Sequence, residues 1–146
     1  MLEPSAHALD AAVRALSRRE LSRAELILRL ARSGIDATDA ERASAKLAQA
    51  GFQSDERTAC ERARVLAARL YGDLAIRADL ARRGIAEADI EAAIAGVTPE
   101  ATRATALAAR AASPTKLSHM LRRRGYAEDT IEQAMGGALR FEASQG

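Results

Sequence analysis

The sequence predicts an all-α protein, a tandem array of three three-helix units, and three observations carry that prediction. One phrase recurs three times: an apolar residue, a leucine four later, a glycine four after that, another apolar residue, then a short alanine-rich helix bearing a glutamate. The copies are Leu26, Leu30, Gly34, Ile35 and Glu41; Ile76, Leu80, Gly84, Ile85 and Glu91; and Leu117, Leu121, Gly125, Tyr126 and Glu132. The three glycines are spaced 50 and then 41 residues apart, a period typical of one supersecondary unit in a repeat protein. Finally, Ala, Leu, Arg and Glu dominate, while the aromatics are only Phe52, Phe141, Tyr71 and Tyr126. That composition favours helix over strand, and small alanine-rich cores suit thin helices stacked in an elongated row.

The elements follow in order. A first helix is expected from near Ser5 to about Glu20, with Leu9, Ala12, Val13 and Leu16 on one stripe. Ser22 and Glu25 form a capping box that opens a second helix. This helix stops at Gly34, where a left-handed residue is tolerated, and Ile35 supplies the apolar contact of such a stop. Asp36 caps a third helix through Ala40, Ala43 and Leu47, ended at Gly51 and Phe52 by the same device. Ser54 and Asp55 restart the cycle with a long helix through Ala63, Leu66 and Leu70. A break at Tyr71 and Gly72 follows, with Asp73 as the next cap. Ile76 and Leu80 face inward, Gly84 and Ile85 end that helix, and Ile90, Ala93, Ile94 and Val97 continue the core. Gly96 closes the unit, with Val97 as a soft joint. Thr98, Pro99 and Glu100 start the seventh helix, with proline at its first position, and Ser113 and Pro114 start the eighth. The last helix carries Ile131, Met135 and Leu139, and the polar tail from Ala143 is expected to fray. The units expected are residues 1–53, 54–97 and 98–146.

Several function classes are disfavoured. His7 and His119 have no partner at metal-ligand spacing, and the glycines fall singly at helix ends, not in a phosphate loop. Cys60 stands alone inside a helical pattern, as a small packed residue in a reducing compartment. No nucleophile has a base beside it. An enzyme, a metal site and a cofactor are therefore not expected. The amino terminus carries Glu3 and Asp10 and no unbroken apolar run, so neither a signal peptide nor a membrane span is expected. The reading is a cytoplasmic monomer.

Binding chemistry lies in arginine. Net charge is only +2, yet twenty of the twenty-two basic residues are Arg. Arg32, Arg82 and Arg123 sit two residues before the repeated glycine in each unit, with Arg83, Arg122 and Arg124 beside them. Cations there complement the helix macrodipole by ~0.3 to 1 kcal/mol each, which accounts for one arginine per unit. Arg122 to Arg124 fan over about 200° of helix surface, so some of them are free for a partner. Glu41, Glu91 and Glu132 are expected to pair with arginines of their own units. Tyr71 and Tyr126 are read as packing residues, because four aromatics are few for stacking on single-stranded bases.

The order of these motifs resembles the RecX-type regulators of the bacterial recombinase RecA. Ala15-Leu16-Ser17-Arg18-Arg19-Glu20-Leu21-Ser22-Arg23-Ala24-Glu25-Leu26 is similar to that family's opening signature. Tyr71-Gly72 through Ile76 and Leu80 to Arg83-Gly84-Ile85 is similar to its second. Leu121-Arg122-Arg123-Arg124-Gly125-Tyr126 resembles its carboxy-terminal one. The chain departs at Thr58, where the family usually has an aromatic residue, and in the alanine-rich helix from Glu100 to Ala112. The resemblance implies a non-enzymatic modulator that lies along the RecA filament on single-stranded DNA and restrains ATP hydrolysis, filament extension and strand exchange in DNA repair and the SOS response. Arg32, Arg82, Arg83, Arg122, Arg123 and Arg124 are the expected contact set, with weak contact to single-stranded DNA as a further expectation. Two other classes fit the bare pattern: a helix-turn-helix binder of duplex DNA and a helical-repeat adaptor for another protein. Glu41, Glu91 and Glu132 on the third helices count against base reading.

Overall fold

The computed structural model describes residues 2–145, and within them the chain is helical throughout, with no strand. The first unit holds α1 (Ala6–Arg18), α2 (Arg23–Arg32) and α3 (Ala37–Gln49). The second holds α4 (Asp55–Ala68), α5 (Asp73–Arg82) and α6 (Glu87–Ala95), and the third α7 (Glu100–Ala108), α8 (Pro114–Arg123) and α9 (Glu128–Gln145). Every helix pair in extensive contact lies within one unit, so each unit has a core of its own. The first centres on Ala12, Leu26, Leu30 and Ala43, the second on Ala63, Ile76, Leu80 and Ile90, and the third on Leu107, Leu117, Leu121 and Ile131.

Local chemistry explains most helix ends. Ser5, Ser22, Asp36, Ser54 and Ser113 each accept a first-turn amide, and Ser22 with Glu25 completes the capping box. The middle helices α2, α5 and α8 end alike: Gly34, Gly84 and Gly125 take φ values of 87°, 78° and 76°. The amides of Ile35, Ile85 and Tyr126 then donate back to the carbonyls of Leu30, Leu80 and Leu121 at 3.1, 3.3 and 3.1 Å. This is the expected left-handed stop with its apolar follower buried.

Five local expectations are corrected. The buried stripe of α1 is Ala8, Ala12 and Ala15, and Val13 is exposed; alanines let α1 approach its neighbours closely, so the helix is turned toward them. The last turn of α4 is closed by Leu70 in the left-handed region, φ 63°, with the Tyr71 amide donating to the Leu66 carbonyl at 3.0 Å. Gly72, not Asp73, is the N-cap of α5. Pro99 occupies the cap of α7, and Glu100 is its first helical residue. Residues from Ala143 to Gln145 are helical, as the end of α9.

The units are joined end to end through their middle helices. The C-terminal turn of α5 sits on the N-terminus of α2, where the Ser22 hydroxyl donates to the Arg83 carbonyl at 2.5 Å. The turn ending α8 sits on the N-terminus of α5: the Gly72 amide donates to the Arg124 carbonyl at 2.7 Å, and the Leu74 amide to the Gly125 carbonyl at 3.0 Å. These bonds take the place of a side-chain cap, which α5 lacks. Negative helix ends thus meet positive ones along the row, the favourable dipole order.

Each following unit also sends an acid back. Asp55, first residue of α4, accepts the Arg23 amide of α2 at 2.7 Å, and Glu100, first residue of α7, accepts the Asp73 amide of α5 at 2.6 Å. The joint at Gly96 and Val97, expected to be soft, is braced. Arg103 is 2% exposed and donates to the Thr98 carbonyl at 2.9 Å, to the Tyr71 carbonyl at 2.5 Å and to the Asp73 carboxylate.

Candidate functional site

The six arginines expected to meet a partner fall into two groups. Arg32 and Arg123 end α2 and α8, are exposed, and form no ion pair among the described residues. Arg82 ends α5 with its side chain 71% exposed, touching Asp79 at 3.5 Å. Arg122 is exposed too, and pairs with Glu128 of its own unit at 3.0 Å. Because the three middle helices are joined end to end, Arg32, Arg82 and Arg123 recur once per unit along the row.

Arg83 and Arg124 are engaged at the junctions. Arg83 bridges two units, donating to Asp79 at 2.8 Å and to Glu25 of the first unit at 3.0 Å, with only 22% of its side chain exposed. Arg124 donates to the Arg69 carbonyl at 2.5 Å and lies 5.2 Å from the centre of the Tyr71 ring, a cation–π distance.

Asp79 organises the second unit's charges. It accepts from Arg62 at two distances of 3.1 Å and from Arg83. Burial pushes its carboxyl up, but the hydrogen bonds from Arg62 and Arg83 outweigh it and hold it below the ordinary aspartate value. The same pairing raises the Arg62 guanidinium.

Other expected pairs resolve individually. Glu91 pairs with Arg77 of its own unit through two bonds of 2.6 and 3.1 Å, while Glu41 and Glu132 make no ion pair among the described residues. Tyr126 is a packing residue: it is buried, and its hydroxyl donates across the junction to the Leu70 carbonyl at 2.8 Å. Burial pushes its phenol up to about 12. Thr58, where an aromatic is usual, is buried and donates to Glu20 and to the Leu21 carbonyl at 3.3 Å each, joining the first two units. Cys60 is half-buried against the second core.

Sequence reading missed Glu100, Arg103 and Asp55 as junction residues. Asp55 and Glu100 each open a unit's first helix, where the helix N-terminus already accounts for an acid, and Arg103, a cation in the first turn of α7, is the residue that this rule leaves unexplained. Among the described residues no cluster of His, Cys, Asp and Glu is arranged to hold a metal, and no helix is long and apolar enough to cross a membrane.

Comparisons with known proteins agree with this architecture. The family model of the first three-helix domain of RecX matches residues 8–47, and that of the second three-helix domain matches residues 54–94. Together they span more than half of the chain. The regulatory protein RecX of Chromohalobacter salexigens is 38% identical over 91 residues, 62% of this chain and 60% of that protein. The regulatory protein RecX of Stenotrophomonas maltophilia K279a is 43% identical over 79 residues, 54% of this chain and 48% of that one. The matched stretch is thus about half the length of these curated relatives. The crystal structure of RecX from Lactobacillus salivarius superimposes with a TM-score of 0.81 at 21% identity, covering 90% of this chain and 94% of that one. A second RecX crystal structure gives 0.76 at 23%, covering 88% and 70%. At such identities the likeness establishes the fold, including a third helical unit beyond the two matched domains. With both domain models matched in order on a row of three-helix units, the chain belongs to the RecX family of regulatory proteins.

Proposed function

We propose that this protein is a non-enzymatic regulator of the RecA recombinase, acting in the cytoplasm as a monomer that lies along the RecA filament on single-stranded DNA. Its units, residues 1–53, 54–97 and 98–146, are the repeating footprint. The observation that carries the reading is the recurrence of an exposed arginine at the end of each middle helix, Arg32, Arg82 and Arg123, along the row of units in a RecX-family chain. A periodic polymer presents equivalent surfaces at intervals, and a row of equivalent cations suits it better than one cluster does. Arg122 adds to the contact set at the third unit. Arg83 and Arg124 act indirectly, by holding the units in register.

The test is RecA ATP hydrolysis on single-stranded DNA, titrated with this protein at well below one molecule per RecA subunit. Inhibition at such ratios is the expected result, since one regulator that blocks extension or breaks a filament affects many subunits. Replacing Arg32, Arg82, Arg122 and Arg123 with alanine weakens inhibition by tenfold or more while leaving the helical signal and melting temperature in place. No effect of the folded wild-type protein at any ratio would refute the RecA reading. Full inhibition by the folded variant would refute the residue assignment.

A further inference from the structure

The internal repeat exposes a difference between the first and second units. On the alignment that pairs Leu30 with Leu80 and Gly34 with Gly84, Arg29 of the first unit stands where the second unit has Asp79. In the second unit that aspartate is the shared acceptor of Arg62, Arg82 and Arg83. On the same alignment Arg32 matches Arg82, while Ser33 stands for Arg83 and Ala12 for Arg62. The first unit thus has neither the acid nor its full ring of partners, and its nearby arginines, Arg14 and Arg18, come instead from other positions of α1.

The result is a cleft of about 190 Å³ between α1 and α2, lined by Arg14, Arg18, Arg29 and Ser33 together with Ala11 and Leu30. None of the three arginines forms an ion pair among the described residues. Arg14 and Arg18 are exposed and Arg29 half-buried, so the cleft is open to a ligand. Its volume is below the ~300 to 1,000 Å³ of pockets that enclose a whole cofactor, and suits a single small anionic group. Three guanidiniums on one cleft favour an oxyanion with several acceptor atoms over a lone carboxylate, which one arginine satisfies bidentately.

We propose that this cleft binds a backbone phosphate of single-stranded DNA, an external anion taking the place that Asp79 fills in the second unit. Arg32, one turn beyond Arg29, and Arg19, next to Arg18, continue the cationic track for the adjoining phosphates. The inference rests on the function proposed above only in naming single-stranded DNA as the source of the phosphate. Its test is made without RecA, so loss of one reading leaves the other standing.

The measurement is anisotropy of a fluorescent thirty-nucleotide oligo-dT, titrated with the full chain across a series of salt concentrations. The variant combining Arg14→Gln, Arg18→Gln and Arg29→Gln is expected to bind at least tenfold more weakly at low salt. Its salt slope becomes shallower by about 0.7 for every phosphate that it no longer neutralises. A control carrying Arg64→Gln, Arg110→Gln and Arg140→Gln gives up the same charge from exposed sites elsewhere and keeps its affinity within about twofold. The single change Arg29→Asp puts an internal acid on the cleft that Arg14 and Arg18 line, and is expected to match the triple variant in DNA binding without lowering the melting temperature. Unchanged binding by the triple variant or by Arg29→Asp would overturn the proposal, as would an equal loss in the control. Competition by poly-glutamate as effective as by oligo-dT, charge for charge, would also overturn it and assign the cleft to an acidic protein segment.

Discussion

Replacing Gly72 with alanine separates contact from conformation at the junction between the second and third units. Gly72 has φ −84°, ordinary for any residue, so alanine there carries no backbone strain. Its new Cβ, however, would stand 2.5 Å from the Gly125 carbonyl carbon and from the Tyr126 nitrogen, and closer still to the Gly125 oxygen. These are backbone atoms of the turn ending α8 and cannot rotate away. The turn must withdraw, lengthening the bonds from the Gly72, Leu74 and Ala75 amides that now measure 2.7, 3.0 and 3.4 Å. Overpacking of this kind costs ~1 to 3 kcal/mol and each of the three weakened bonds ~0.5 to 1 kcal/mol, for a total of about 2.5 to 6 kcal/mol. Gly34→Ala is the matched comparison, because φ there is 87° but nothing lies within 4 Å of the added methyl. It costs only the left-handed conformation, ~1 to 2 kcal/mol. Urea unfolding followed by circular dichroism, with hydrogen exchange at the Leu74 and Ala75 amides, reads both effects. A Gly72→Ala variant no less stable than Gly34→Ala, with those amides still protected, would refute the account of the junction.

Three further outcomes follow from the same contacts. Arg103→Met keeps the length of the side chain but strips three acceptors of their donor, and is expected to cost about 3 kcal/mol in urea unfolding; a loss under about 1 kcal/mol, the scale of an ordinary surface pair, would show that the brace is idle. Asp79 titrates below its ordinary value in the folded state, so its contribution is complete above the unfolded aspartate pKa of about 3.9 and disappears as pH falls through the lower folded value. Stability measured from about pH 5 to pH 2, the range in which carboxylates titrate, therefore drops more steeply in the wild type than in Asp79→Asn, and parallel curves would contradict the assignment. Ser44 is fully buried on α3 with its hydroxyl unpartnered, so Ser44→Ala is expected to raise stability by ~0.5 to 1 kcal/mol, read as a higher melting temperature; a lower one would mean that the hydroxyl has a partner.

Features written in adjacent residues were legible in the sequence. The capping box of Ser22 and Glu25, the left-handed glycines at the ends of the middle helices and the Ser113-Pro114 start all depend on residues within one helical turn. The stripe of α1 was misplaced because Ala8, Ala12 and Ala15 are weak hydrophobic markers beside Leu9 and Leu16, while close approach of helices rewards the smaller side chain. The cap of α5 was misassigned to Asp73 because the groups that satisfy that helix end, the carbonyls of Arg124 and Gly125, lie about fifty residues away. Distance in sequence likewise hid Arg103, whose acceptors Tyr71 and Asp73 belong to the preceding unit. The six-arginine set was visible as a pattern, but its division into exposed ends and junction ties depended on Glu25, Asp79 and Arg69, which only the folded chain brings near. Arg29 against Asp79, by contrast, can be read from the repeat itself once the two units are aligned beyond their apolar residues.

The capping arrangement also sets an order of assembly. The first unit carries its own Ser22 and Glu25 box, so α2 can close its first turn as soon as residues up to the end of α3 have left the ribosome. The second unit has no such provision: Gly72 offers no side chain, and the first amides of α5 wait for Glu100 and for the turn after α8. Synthesis from the amino terminus therefore presents a first unit whose central helix already holds its own side-chain cap, then a second whose central helix lacks its cap until about Tyr126 has emerged. The start of α5 is thus satisfied only by a segment made after it, and removing that segment leaves the amides of Gly72, Asp73 and Leu74 without the acceptors they have in the folded chain.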